Sequence, residues 1–220
     1  MQLQLTPAKG RSFATKQALV YHTLREAIMQ ARLEPGQRLV IDEIAKHLKV
    51  SPIPVREALQ LLQSERLVEH QAHVGAVVAA LSAADAQEIF ALLEALESVV
   101  FTAAAAHVSA PQLAALVALA ERMEGARDDR RWMELNQRFH RTIAEIARMP
   151  RALELLERVS GEWERLRRYH FRAVAHPDTT IADREHRAMI AALAAGQVAT
   201  LENLVRTHNR SALAHYLTAG

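Results

Sequence analysis

None of the 220 residues is cysteine, so neither a disulfide nor a thiolate-held metal is available to this chain. Long hydrophobic runs are also missing. No uninterrupted apolar stretch is longer than Leu113 to Ala120, far short of the roughly 20 residues that a membrane-spanning helix needs. Met1 to Gly10 hold no sustained apolar segment of the signal-peptide kind. These absences lead us to expect a cytoplasmic protein with no membrane partner. There is no internal repeat, no low-complexity linker and no His-Glu-x-x-His motif. Charge of one sign is scarce as well: the formal net charge is +2. Residues 1–80 carry ten Lys/Arg and seven Asp/Glu, while the remainder carry seventeen and eighteen. A solvated face explains so small an excess about as well as a nucleic-acid footprint does. What is present is 50% apolar and 24% charged residues, the balance of a globular chain with one or two cores.

The N-terminal third reads as three short helices and a hairpin. Residues 1–14 form an expected flexible arm, in which Lys9 and Arg11, together with Lys16 just beyond, make a sparse basic run. A helix over Lys16 to Ala31 follows, with Val20, Leu24, Ala27 and Ile28 on one face. Pro35-Gly36 turns the chain. Ile41, Ile44, Ala45 and Leu48 mark a second amphipathic helix. Ser51 is the expected N-cap of a third, and Pro52 suits its first position, where a missing N–H costs nothing. Val55, Ala58, Leu59 and Leu62 stand at i, i+3, i+4 and i+7, which buries one face and leaves Arg56 off it. Leu67 to His70 and Ala76 to Val78 are short strand candidates around a loop of hairpin length. This pattern predicts a winged helix-turn-helix over 15–80.

From Ser82 onward strand signals vanish, and Ala and Leu dominate. Six helices are expected, at about 82–108, 111–125, 130–148, 151–172, 179–195 and 198–217. Breaks fall at Ser109-Ala110-Pro111, Gly125, Met149-Pro150, His176-Pro177 and Gly196. The fold class is therefore mainly α: a winged helix-turn-helix followed by an antiparallel six-helix bundle over 82–220, with room inside for a ligand.

Within the bundle, Asn136 and His140 are i and i+4 and share a helical face. His186 and His208 lie ten and twelve residues on either side of Gly196. At ~1.5 Å per residue an antiparallel pair would hold them at nearly one level. Three imidazoles and an amide oxygen at that level suit Zn²⁺, with Ni²⁺ or Mn²⁺ as alternatives. Two other readings stay open on spacing alone. The histidines could be packing residues of a metal-free dimerisation module, or they could activate water in a hydrolase. Against the second, Glu185 is adjacent to His186 and so points about 100° around the helix from it.

The stretch Val50-Ser51-Pro52-Ile53-Pro54-Val55-Arg56-Glu57-Ala58-Leu59 resembles the recognition helix of the GntR superfamily of bacterial transcription regulators. That helix usually reads Val-Ser-Arg-Thr-Pro-Val-Arg-Glu-Ala-Leu. Tyr21-x-x-Leu24-Arg25-Glu26-Ala27-Ile28 and Leu33-x-Pro35-Gly36-x-x-Leu39 extend the likeness over residues 15–80. The second half resembles the all-helical FCD-type effector domain of the FadR branch, and its six helices resemble the VanR-like subgroup. Asn136, Phe139 and His140 match one element of that pattern, Glu185 and His186 a second, and His208 the last.

The resemblance implies a repressor that binds a near-palindromic double-stranded operator as a homodimer in the bacterial nucleoid. It further implies a divalent ion held by Asn136, His140, His186 and His208, with a small organic acid bound beside it. Arg56 is the leading DNA contact. Ser51, Ile53, Pro54, Lys49, Lys46 and Arg25 follow, along with His73 and Gly75 of the wing. Several positions depart from the pattern. Pro52 replaces an Arg able to grip guanine, Ile53 replaces Thr, Val74 replaces the wing Arg, and Arg66 stands where Gly usually closes the recognition helix. In the first bundle helix, where relatives read Arg-x-x-x-Glu, this chain has Leu93 and Glu97. An effector carboxylate would then need Arg141, Arg165, Arg167 or Arg168, and the effector is expected to be less acidic than a dicarboxylate.

Overall fold

In a computed structural model, Leu5 and residues 13–80, 82–126, 128–170 and 179–218 are described. Helix α1 (Lys16–Met29) starts where the Thr15 hydroxyl accepts from the Ala18 N–H at 3.0 Å, satisfying one orphan donor of the first turn. It ends two residues before the expected Ala31, because Ala31 adopts a left-handed backbone (φ 54). Helix α2 (Ile41–Leu48) stops at Lys49, also left-handed, and α3 (Pro52–Ser64) follows at once. The hairpin of β1 (Val68–Gln71) and β2 (Gly75–Val78) is antiparallel, with Val68 opposite Val78 and Gln71 opposite Gly75. Residues 36–39 add a third edge: Leu39 N–H donates to Ala76, and Val78 N–H to Gln37. This is a winged helix-turn-helix.

Its core forms from the faces that the 3.6-residue period marks out. Val20, Leu24, Ala27 and Ile28 of α1 meet Ile44, Ala45 and Leu48 of α2 and Val55, Ala58, Leu59 and Leu62 of α3. Leu5 is buried against this cluster, and His47 Nε2 donates to its carbonyl at 2.7 Å. The rest of the expected arm, residues 1–4 and 6–12 with Lys9 and Arg11, lies outside the described residues.

Ser51 occupies the N-cap of α3, but its hydroxyl makes no capping hydrogen bond. The third helical position is Pro54, which has no N–H to give it. At the other end of α3, Arg66 takes the left-handed conformation (φ 56) that glycine usually supplies. A side chain there costs about 1–2 kcal/mol, and the Arg66 side chain is exposed. Arg66→Gly is therefore expected to raise the melting temperature by a few degrees. A fall would mean that the Arg66 side chain contributes more than its backbone conformation costs.

In the second compact unit, Ala83–Gly220, every regular element among the described residues is a helix. It comprises α4 (Ala83–Ala104), α5 (Ala110–Glu124), α6 (Asp129–Ile146), α7 (Pro150–His170), α8 (Thr180–Ala194) and α9 (Val198–Thr218). Gln112 accepts from the Ser109 N–H at the start of α5, and Asp128 accepts from Arg131 at the start of α6. Gly196 (φ 63) makes the turn from α8 to α9. The expected His176-Pro177 break lies outside the described residues. Helix α4 packs on α6, α7 and α9, and α5 packs on α6 and α8. No helix among the described residues is long and apolar enough to cross a membrane.

Candidate functional site

On the first unit, the start of α3 presents an unusual mixture. Arg56 is exposed and makes no ion pair among the described residues. Ile53 is 65% exposed, and Val74 at the tip of the hairpin is exposed as well. Burying such side chains on a partner is favourable, whereas leaving them in water gains nothing. Lys46, Lys49 and Ser51 are exposed nearby in sequence on α2 and its turn into α3. His73 (φ 63) and Gly75 (φ 97) hold the left-handed positions of the hairpin loop. Arg25 differs from the other basic candidates. Its Nε donates to Glu65 at 3.0 Å, and the Tyr21 hydroxyl donates to the same carboxylate. A phosphate would have to compete with Glu65 for it.

In the second unit the three histidines converge. Helix α6 supplies His140, α8 supplies His186 and α9 supplies His208. Ring centroids lie 5.4 Å apart for His140–His186, 5.1 Å for His140–His208 and 4.9 Å for His186–His208. One ring nitrogen from each lies within 4.8 Å of the others. His140 Nε2 and His186 Nε2 are 3.3 Å apart. Zn–N bonds of about 2.0–2.1 Å in tetrahedral geometry set two ligand nitrogens about 3.3 Å apart.

Carboxylates orient two of the rings from behind. His140 Nδ1 donates to Glu97 at 2.7 Å, and His208 Nδ1 donates to Glu185 at 2.7 Å. Each bond selects the tautomer whose Nε2 carries the lone pair, the usual outer partner of a metal-bound imidazole. Glu97 also accepts from Asn209 Nδ2 at 2.8 Å, and Glu185 from Ser211 at 3.2 Å. Burial pushes the Glu97 carboxyl upward. The imidazole and hydrogen bond of His140, with the Asn209 bond, outweigh burial and hold it below the usual carboxylate range. Burial, then the neighbouring His208 and His140, drives His186 well below the ordinary imidazole value, so it is neutral at pH 7. A neutral imidazole is the form that ligates.

At the cluster itself, Asn136 Oδ1 and His186 Nδ1 are buried without a partner among the described residues. An unpaired buried acceptor costs about 1–3 kcal/mol unless something occupies it. Asn136 lies one turn before His140 on α6, so its orphaned oxygen belongs to the same face as the histidine. This donor set, three nitrogens and a hard oxygen, fits a divalent ion.

Two cavities adjoin the cluster, and Asn136, Trp163, His208 and Ala212 line both. The larger is about 300 Å³ and includes Glu97, His140 and Arg141. The smaller is about 140 Å³ and includes Trp132, Arg167, Glu185 and Tyr216. The four candidate arginines separate clearly. Arg141 is exposed and bridges Glu145 and Glu157. Arg165 and Arg168 line neither cavity. Arg167 lines the smaller one, is 3% exposed, donates to Glu164 and sits 6.0 Å from the Trp132 ring and 5.8 Å from the Trp163 ring. Burial pulls its guanidinium below the usual range, against the pull of Glu164.

Several residues here escape the sequence reading. Asn209, Ser211, Trp132 and Trp163 were not singled out by it. Trp132, Asn136 and His140 are spaced i, i+4, i+8, and Trp163 and Arg167 are i, i+4, so helical spacing from a known member would have found both tryptophans.

Known proteins match over most of this chain. The profile of the FCD domain matches residues 88–211, and that of the bacterial regulatory proteins of the gntR family matches residues 16–78. An HTH-type transcriptional regulator from the TAR-I ttuE-ttuC' intergenic region of Agrobacterium vitis is 35% identical over 143 residues, covering 62% of this chain and 83% of the relative. The HTH-type transcriptional repressor RspR of Escherichia coli is 26% identical over 177 residues, covering 79% of this chain and 77% of its own. A solved putative transcriptional regulator GntR from Rhodococcus sp. RHA1 superposes with a TM-score of 0.74 at 26% identity, covering 93% of this chain and 99% of that one.

Proposed function

Because this chain belongs to the gntR family of bacterial regulatory proteins and carries an FCD domain, we propose that it is a metal-containing sensor whose hold on operator DNA is set by a small organic acid. The chain is a DNA-binding transcription regulator, like its relatives. The observation that carries the sensor reading is the orphaned Asn136 Oδ1 beside three histidines, two of them braced by carboxylates.

In this reading Asn136, His140, His186 and His208 hold the ion, Zn²⁺ in preference to Ni²⁺ or Mn²⁺. The bound ion supplies a concentrated positive charge with positions open to the oxygens of an acid. Glu97 and Glu185 keep the His140 and His208 rings in place. A neutral Asn in place of a carboxylate leaves the site one negative charge short, which favours an anionic ligand beside it. Arg167, buried in the wall of the adjoining cavity, is the best placed of the four candidate arginines to meet that ligand.

A homodimer places two copies of α3 in successive major-groove turns of a near-palindromic operator. Arg56 contacts a phosphate or a guanine there, with Ser51, Lys49 and Lys46 on the backbone. Pro54 positions the helix start, and His73 and Gly75 place the wing. Ile53 and Val74 offer thymine methyls an apolar surface where an Arg would have offered hydrogen bonds. The protein is a repressor released by its ligand.

Operator selection from random DNA, followed by gel-shift titration with a panel of organic acids before and after chelation, tests this. The expected result is DNA release by one class of acid in the metal-loaded protein only. Selected DNA that stays bound whatever the acid or metal content would overturn the sensor reading.

A further inference from the structure

The two cavities beside the histidine cluster differ in charge. The larger is bordered by Glu97, Glu157 and Glu164 against Arg141, which is already bridged to Glu145 and Glu157. The smaller has one carboxylate, Glu185, committed to His208 and Ser211, and one buried guanidinium, Arg167. An anion entering beside the cluster therefore meets repulsion on one side and Arg167 on the other. Arg167 retains capacity for it: Nη2 donates to Glu164 at 2.6 Å, while Nε is buried without a partner among the described residues.

The apolar part of the smaller cavity is distinctive as well. Only 5% of the chain is aromatic and it has two tryptophans, yet both Trp132 and Trp163 line this cavity, with Tyr216. Its volume is about 140 Å³, and a void of about 150 Å³ is enough for benzene.

We propose that the smaller cavity takes a single-ring aromatic monocarboxylate, with Arg167 anchoring the carboxylate and Trp132, Trp163 and Tyr216 enclosing the ring. This rests on the ligand-sensing reading above and narrows it. Once one carboxylate occupies Arg167 and the open side of the ion, a second would face Glu185 or the aromatic walls, at a desolvation cost that no further cation there offsets. A neutral ring would leave the buried Arg167 Nε without an acceptor. The flat guanidinium is suited to a carboxylate edge in a way that a lysine ammonium is not.

Both tryptophans border the cavity, so their intrinsic fluorescence reports its occupancy. The test titrates the metal-loaded full chain with benzoate, with benzamide as its uncharged counterpart, and with succinate. Benzoate is expected to change the signal saturably and to bind at least about tenfold more tightly than either comparator. Arg167→Lys is expected to weaken benzoate by at least about tenfold at unchanged metal content. Benzamide or succinate equalling benzoate would overturn the proposal, and so would a folded Arg167→Lys protein that titrates like the wild type. The wild-type comparison needs no variant and decides the matter even if Arg167→Lys does not fold. Benzoate binding that survives chelation and still depends on Arg167 would support this proposal while defeating the metal reading. DNA release by succinate and not by benzoate, in the metal-loaded protein only, would do the reverse.

Discussion

Adding Zn²⁺ to chelated protein is expected to raise the melting temperature by roughly 10 °C, and His186→Ala should abolish nearly all of that rise. An ion present at about a thousand times its dissociation constant stabilises the folded state by about 4 kcal/mol, and each kcal/mol moves a chain of this size by about 2–4 °C. His186 is the proposed ligand to remove because it is fully buried, neutral at pH 7 and 3.3 Å from His140 Nε2. Without metal the variant should lose less than a buried truncation of its size usually does. The wild type already buries an imidazole whose Nδ1 has no partner, a cost of about 1–3 kcal/mol that alanine relieves. Paired melting curves with and without Zn²⁺ make the comparison. Equal Zn²⁺ shifts in wild type and variant would assign the ion to some other part of the chain.

Arg56→Ala is expected to reduce affinity for the selected operator by two orders of magnitude or more. One good contact to a guanine is worth about 1–3 kcal/mol, and a dimer loses it twice. If the contact is to phosphate, binding should weaken uniformly across sequences, and the salt dependence should become shallower by about one counterion for each lost contact. If it is to a base, discrimination at one position of each half-site should collapse while the salt slope holds. Titrations at several salt concentrations on the selected operator and on a scrambled duplex separate the two. Retained affinity and slope would move the burden of recognition to Ile53 and the wing. Arg25→Ala, by contrast, first breaks an internal pair with Glu65, so a stability measurement must accompany any DNA result.

Much of the fold was legible because its helices are amphipathic and its breaks are chemically marked. Val20, Leu24, Ala27 and Ile28 read as one face and are one face. Pro35-Gly36, Ser109, Gly125 and Gly196 act as turn residues where they stand. The errors cluster at helix ends, where backbone conformation departs from residue preference. Ala31 and Arg66 adopt left-handed geometry without being glycine, and Ser51 fails to cap because of a residue three places on. In the candidate site, the level of His186 and His208 followed from counting residues to Gly196. Their environment did not. Which of Arg141, Arg165, Arg167 and Arg168 borders a cavity depends on how α7 rotates against its neighbours, a packing outcome that charge patterning leaves undetermined. The pairings of Glu97 with Asn209 and of Glu185 with Ser211 join α9 to α4 and α8. Long-range polar contacts of this kind leave no local signature.

Pro52 and Pro54 at the head of α3 have a bearing on how this protein meets DNA. Each ring fixes its own φ near the helical value, and Pro52 also favours the extended backbone that Ser51 adopts before it (ψ 164). The unfolded chain therefore has fewer conformations to give up at this point, which offsets the missing cap. A binding segment whose order is prepaid in this way loses little entropy on docking. The reading end of the helix should thus reach its operator already rigid, with Ile53 held outward as a fixed probe. Discrimination would come from shape and methyl groups meeting an inflexible edge, and association would not wait on local folding.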